Sequence, residues 1–186
     1  MNHIYENIDG WFTFPNLYKM AVETAPDNSH FVEIGSWMGK SASYMAVEII
    51  NSNKNIQFDC IDTWQGSIEH TDREEIKENT LYDKFISNIE PVKNVINPIR
   101  MPSLDAVNLY DDNSLDFVFI DASHDYENVK KDIIAWYPKV KSNGLFAGHD
   151  YDPSWEGVVR AVDEFINERG YTLSIKSELC WGFRKK

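Results

Sequence analysis

The sequence predicts an α/β fold in which one doubly wound, mostly parallel sheet carries helices on both faces. Three observations lead there. Short, nearly continuous apolar runs alternate with amphipathic helical patterns along most of the chain, as buried parallel strands and their crossover helices require. The 186 residues suit one domain, enough to bury roughly 70% of the unfolded surface without staples. The last segment breaks the alternation with two β-type runs and no helix between them, which reads as an antiparallel hairpin at a sheet edge.

Taken in order, HFVEIGS (30–36) reads as the first strand, followed by a helix through SASYMAVEII (41–50). IQFDCID (56–62), VINPIRM (95–101), LDFVFID (115–121) and GLFAGHD (144–150) are the next four strands. Between the last two, Val129, Ile133, Trp136, Tyr137 and Val140 recur at helical spacing. Val158, Ala161, Val162, Phe165 and Ile166 repeat the pattern, and Gly170 ends that helix. The closing runs are 171–176 and 180–185, separated by Ser177, Glu178 and Leu179. Residues 63–92 are too long for a simple connection, and Leu81, Phe85 and Ile89 share one helical face there. An insertion of that length after a strand is expected to be a lid or a packed decoration. Trp11, Phe12, Phe14 and Tyr18 are expected to anchor an N-terminal helix, or else to line an acceptor pocket.

Composition narrows the function. Hydrophobic residues make up 42% and charged residues 26%, ordinary values for a globular protein, and the net charge is −12. An acidic surface argues against nucleic acid or an anionic membrane as partner. No apolar run reaches the ~20 residues of a membrane span, and the N-terminus has no secretory pattern, so a cytoplasmic location is expected. Cys60 and Cys180 are expected to be reduced, packed thiols.

The informative stretch is EIGSWMGKS (33–41). Its Gly-Lys-Ser ending imitates a phosphate-binding loop, but only three residues separate Gly35 from Gly39 where that loop needs four. Glu33 would repel a triphosphate, and Asp62 closes the second strand where doubly wound folds hold ribose hydroxyls. A dinucleotide fingerprint would need glycine at position 37, where Trp37 stands. Lys40 is expected to face solvent.

Glu33-x-Gly35-x-Trp37-x-Gly39 is similar to the acidic-x-Gly-x-x-x-Gly loop of class I S-adenosylmethionine-dependent methyltransferases. Beyond it, CIDTWQGS, FVFIDASHDYENVKKDIIAWYPKVKSNGLFAGHDY and GVVRAVDEFI resemble the Methyltransf_24 type, related to macrocin, cephamycin and novobiocin-pathway O-methyltransferases. The resemblance spans about residues 30–168. It implies a Rossmann-like, seven-stranded sheet of order 3-2-1-4-5-7-6 with strand 7 antiparallel, in a single domain over residues 1–186. It implies S-adenosyl-L-methionine as cofactor, with Glu33 toward its ammonium, Gly35, Ser36 and Gly39 offering the loop, and Asp62 on the ribose. Trp64, Ser103, Leu104 and Asp121 complete the expected cofactor contacts.

Asp121, His124, Asp125, His149 and Asp150 fall at or just past the ends of the fourth and fifth strands, so they should converge at one sheet edge. Metal-dependent relatives place an aspartate and an acidic pair there, which match Asp121 and the pair His149–Asp150. The expected ion is Mg²⁺ or Mn²⁺, and the histidine shifts preference toward the transition metals. His149, His124 and Asp121 are the catalytic candidates, either histidine serving as general base; Ser123 or Asp125 could instead cap a helix. His70, in the insertion, is expected to be solvated. The expected function is transfer of a methyl group to a hydroxyl of a small molecule such as a sugar or natural product, homo-oligomerisation being left open. The rivals are a non-catalytic cofactor- or partner-binding module of the same fold and a P-loop-like nucleotide hydrolase.

Overall fold

The structure is a computed structural model describing residues 1–186, the side chain of Ile68 excepted. Its centre is a six-stranded sheet formed by β1 (Ser29–Ile34), β2 (Ile56–Asp62), β3 (Ile96–Arg100), β4 (Leu115–Ile120), β5 (Val140–Gly148) and β6 (Trp181–Arg184). The order is β3-β2-β1-β4-β5-β6, with every pairing parallel except β5 with β6. The sheet reverses direction of winding between β1 and β4, the position where such folds open a ligand crevice.

Period-two alternation divides the core. Phe31 in β1 and Phe117 and Phe119 in β4 face α1 (Pro15–Thr24), α2 (Lys40–Ser52) and, further along the sheet, α4 (Leu81–Ile89). Val32, Ile34, Val118 and Ile120 face the opposite layer, built from α5 (Ser103–Ala106), α6 (Tyr126–Trp136) and α7 (Glu156–Arg169). Pro15 starts α1 at a position where its missing N–H costs nothing. Asp125 caps α6, its carboxylate accepting from the Asn128 amide at 3.1 Å, and Gly170 ends α7 in the left-handed region.

Two sequence expectations change. The run 171–176 does not form the expected sixth strand; only Ile175 bridges Gly182. The amides of Ser174 and Ile175 both donate to the Gly182 carbonyl, so two residues face one and the ladder stops, as at a bulge. The insertion also divides in two. Leu81, Phe85 and Ile89 are buried as their spacing predicts, which makes α4 part of the core. The segment before it, with α3 (Glu74–Lys77), reaches the crevice edge through Glu69, which pairs with His124, and His70, which contacts Trp37.

Candidate active site

Strand register assembles the site. Ile34 pairs with Ile61 and Ile120, and Ile120 with Gly148, so the next residues along are Gly35, Asp62, Asp121 and His149. The ladder continues one step: the Gly35 amide donates to Ile61, Asp121 to Ile34 and His149 to Ile120, at 2.8 to 3.0 Å. Four residues distant in sequence therefore share one row at the carboxyl edge.

Gly35 has φ +88°, and a Cβ there would lie 2.0 Å from the Asp121 carbonyl oxygen. The β1–α2 loop thus passes against the end of β4 at a distance only glycine allows. Gly39 (φ +83°) is required for a different reason, since its Cβ would sit 2.9 Å from Ile89 on α4. The amides of Ser36 and Trp37 both point at Asp62, donating to Oδ2 at 3.0 and 2.9 Å, and the Trp64 amide donates to Oδ1 at 2.8 Å. That arrangement turns the loop donors a phosphate would need toward a carboxylate. Burial raises the Asp62 pKa, opposed by these same amides.

Glu33 lies beneath the loop, 1% exposed, with Oε2 accepting from the Tyr18 hydroxyl at 2.6 Å. Oε1 and the Ser36 hydroxyl are buried without a hydrogen-bond partner among the described residues. Burial pushes the Glu33 carboxyl up to about 7, against the lowering effects of the nearby Tyr18, Ser36 and Ser41 hydroxyls. A buried, half-satisfied carboxylate beside a glycine loop fits a ligand ammonium, which would satisfy it.

Asp121, His149 and Asp150 offer three ligand atoms within 4.8 Å of one another. His149 Nδ1 is 3.5 Å from Asp121 Oδ1 and 3.2 Å from Asp150 Oδ1. Ligands about 2.1 Å from a shared ion stand roughly 3.0 to 3.4 Å apart, so this donor set fits a divalent cation. Asp150 adopts φ +58°, and its carboxylate meets both His149 and His124. His124 bridges Glu69 Oε2 at 2.6 Å and Asp150 Oδ2 at 2.9 Å, and its ring stacks on Trp155 at 4.0 Å. Burial favours the neutral imidazoles, but the carboxylates outweigh it and raise His124 to about 9 and His149 to about 10. Asp150 is held below the usual carboxylate range: burial acts upward, and the two histidines more than offset it. Both imidazoles are therefore paired with carboxylates in this state.

Other expected contacts are placed differently. The Trp64 indole is 1% exposed, packed on Tyr82 and Phe85, and donates to the Trp37 carbonyl at 2.8 Å. It supports the loop from below and presents no face to an adenine. The Ser103 hydroxyl donates to Asp132 at 2.6 Å and accepts from the Trp136 indole at 2.8 Å, committing it to α6. Leu104, on α5 after β3, is 43% exposed. His70 is not simply solvated: its ring contacts Trp37 at 4.4 Å and stacks with Trp11 at 5.8 Å. Phe14 and Tyr18 are core residues, whereas Trp11 is 63% exposed above this aromatic group. Sequence reasoning missed Thr13, Glu69, Trp155 and Glu178, which reach the site from separate loops and carry no local signal.

The fold is that of a class I methyltransferase domain. Residues 32–151 match the Methyltransf_24 family, described as a methyltransferase domain, and the chain belongs to that family. Among solved structures, the O-methyltransferase NovP superposes with a TM-score of 0.71 at 16% identity, covering 92% of this chain and 79% of that one. An O-methyltransferase from Bacillus cereus, solved with S-adenosylhomocysteine, gives 0.62 at 17% identity, covering 97% and 86%. At those identities the likeness is one of fold. An uncharacterised protein of Sinorhizobium fredii, y4gI, is 26% identical over 119 residues, which are 64% of this chain and 13% of that protein. No helix among the described residues is long and apolar enough to cross a membrane.

Proposed function

We propose that the protein transfers the methyl group of S-adenosylmethionine to a hydroxyl of a small molecule, with a divalent cation held by Asp121, His149 and Asp150. The observation that carries this reading is the contact of Gly35 with the Asp121 carbonyl, which sets the cofactor loop directly against the cation-type cluster. Glu33 takes the cofactor's ammonium, Asp62 uses its remaining acceptor capacity for ribose hydroxyls, and the loop's backbone positions both. A bound divalent cation would lower the acceptor hydroxyl's pKa and orient its oxygen. With His149 serving as a cation ligand and His124 held between Glu69 and Asp150, Asp121 is the carboxylate placed to receive the acceptor's proton. The segment of residues 65–80, anchored through Glu69 and His70, covers the crevice, and its aromatic neighbours suit a ring-bearing or sugar acceptor. A nucleotide hydrolase is disfavoured because the Ser36 and Trp37 amides serve Asp62.

The test is formation of S-adenosylhomocysteine from a panel of hydroxyl acceptors with Mn²⁺ or Mg²⁺ and with EDTA. Asp150→Ala is expected to lower the metal-dependent rate by at least ~100-fold while leaving S-adenosylhomocysteine affinity nearly intact. Full activity in excess EDTA would remove the cation from the proposal. No turnover on any acceptor, with intact cofactor binding, would favour a non-catalytic module.

A further inference from the structure

Thr13, on the segment leading into α1, reaches the site from the far side of His149. Its Oγ1 lies 2.8 Å from His149 Nε2 and 3.2 Å from the Glu178 carbonyl oxygen. One hydroxyl has one proton to give. The carbonyl can only accept, so the arrangement that satisfies both contacts has Thr13 donating to Glu178 and accepting from an Nε2–H.

The carbonyl is not free to turn away. Glu178 and Leu179 hold φ values of 59° and 61°, and the Leu179 carbonyl accepts from the Tyr151 amide at 2.8 Å. The Glu178 side chain accepts from Asn16 Nδ2, and the Cys180 thiol approaches the same carbonyl at 3.6 Å. The imidazole is equally confined, buried and 4.8 Å from the Phe14 ring. With Nε2 engaged, Nδ1 is the nitrogen left facing Asp121 and Asp150. His124 lacks such a relay, because both its nitrogens meet carboxylates.

We propose that Thr13 is a positioning residue: through the Glu178 carbonyl it fixes His149 as the Nε2–H form and assigns Nδ1 as the nitrogen ligand of the divalent cation. The proposal rests on the reading that Asp121, His149 and Asp150 hold a cation. It follows the general pattern in which the outer nitrogen of a ligating histidine is anchored by a hydrogen bond that orients the ring.

The experiment titrates the purified full chain with Co²⁺ and follows its visible absorption, with thermal unfolding and S-adenosylhomocysteine affinity measured beside it. Thr13→Val should weaken Co²⁺ binding about 10- to 100-fold and change the spectrum, with cofactor affinity unaltered. Thr13→Ser, which keeps the hydroxyl, should restore affinity to within about 3-fold of the native chain, since the same hydrogen bonds can form. Native-like Co²⁺ affinity and spectrum in Thr13→Val would overturn the role of Thr13 and leave the cation site standing. Absence of Co²⁺ binding by the native chain would overturn both. Should Thr13→Val not fold, nitrogen-15 NMR of histidine-labelled native chain loaded with Zn²⁺ decides alone: metallated Nδ1 with protonated Nε2 is expected, and metallated Nε2 contradicts the proposal.

Discussion

Glu33 shows how one residue ties sequence, stability and binding together. Its carboxyl is raised from 4.5 to about 7 by burial, so the folded chain binds a proton more readily than the unfolded one across that interval. Stability attributable to Glu33 is therefore highest below about pH 4.5 and falls as pH rises to about 7. Glu33→Gln is expected to raise the thermal midpoint at pH 8, by a free energy on the order of 2–3 kcal/mol, and to change it little at pH 4.5. The same variant should weaken S-adenosylhomocysteine binding at least ~10-fold, since the ammonium loses its charged partner. Equal midpoints for both proteins at pH 8 would contradict the buried-carboxylate account. Gly35→Ala tests the neighbouring contact. With φ +88° and an oxygen 2.0 Å from the new Cβ, it should cost more than ~2 kcal/mol in denaturant unfolding and abolish cofactor binding. Both residues were legible as letters of a motif. The Tyr18–Glu33 bond was not, because nothing in the local pattern of an aromatic N-terminal segment says which strand it will meet.

At the scale of elements, the sequence disclosed strands better than their neighbours. The period of 63–92 located α4 and its buried face, yet not that α4 packs against Gly39 and so belongs to the core. The terminal hairpin was half right: β6 forms, but two amides converging on Gly182 end the ladder at one bridge. Backbone hydrogen-bond counting of that kind has no compositional trace. The crevice segment is held by ion pairs as well as by the packing of Ile76 and His70, the pairs including Glu69 with His124 at 2.6 Å. Carboxylates raise His124 above its ordinary 6.5 to about 9, so the pair's stabilisation is complete below about pH 6.5 and lost as pH rises through about 9. Glu69 is 42% exposed, so Glu69→Gln should cost no more than about 1 kcal/mol at pH 6 and nothing measurable at pH 10. The acceptor KM should rise several-fold in this variant while cofactor affinity stays constant. An unchanged KM would detach residues 65–80 from acceptor binding.

For the molecule as a whole, the winding order does most to create the site. The sheet brings Gly35, Asp62, Asp121 and His149 to one row, and each could be assigned to that row from strand ends alone. What lay beyond sequence reasoning was the outer ring of Thr13, Glu69, Trp155 and Glu178, whose loops have no periodicity to read. Trp64 and Ser103 mark the same limit: position placed them near the crevice, while the Trp64 indole donates to the Trp37 carbonyl and the Ser103 hydroxyl to Asp132. The central claim is that the row binds an ammonium-bearing nucleoside and not a triphosphate. It is tested most directly by calorimetric titration of the full chain with S-adenosylhomocysteine and, separately, with ATP and Mg²⁺. The account predicts saturable one-to-one binding of S-adenosylhomocysteine and no heat of binding from ATP with Mg²⁺; the reverse result would contradict it.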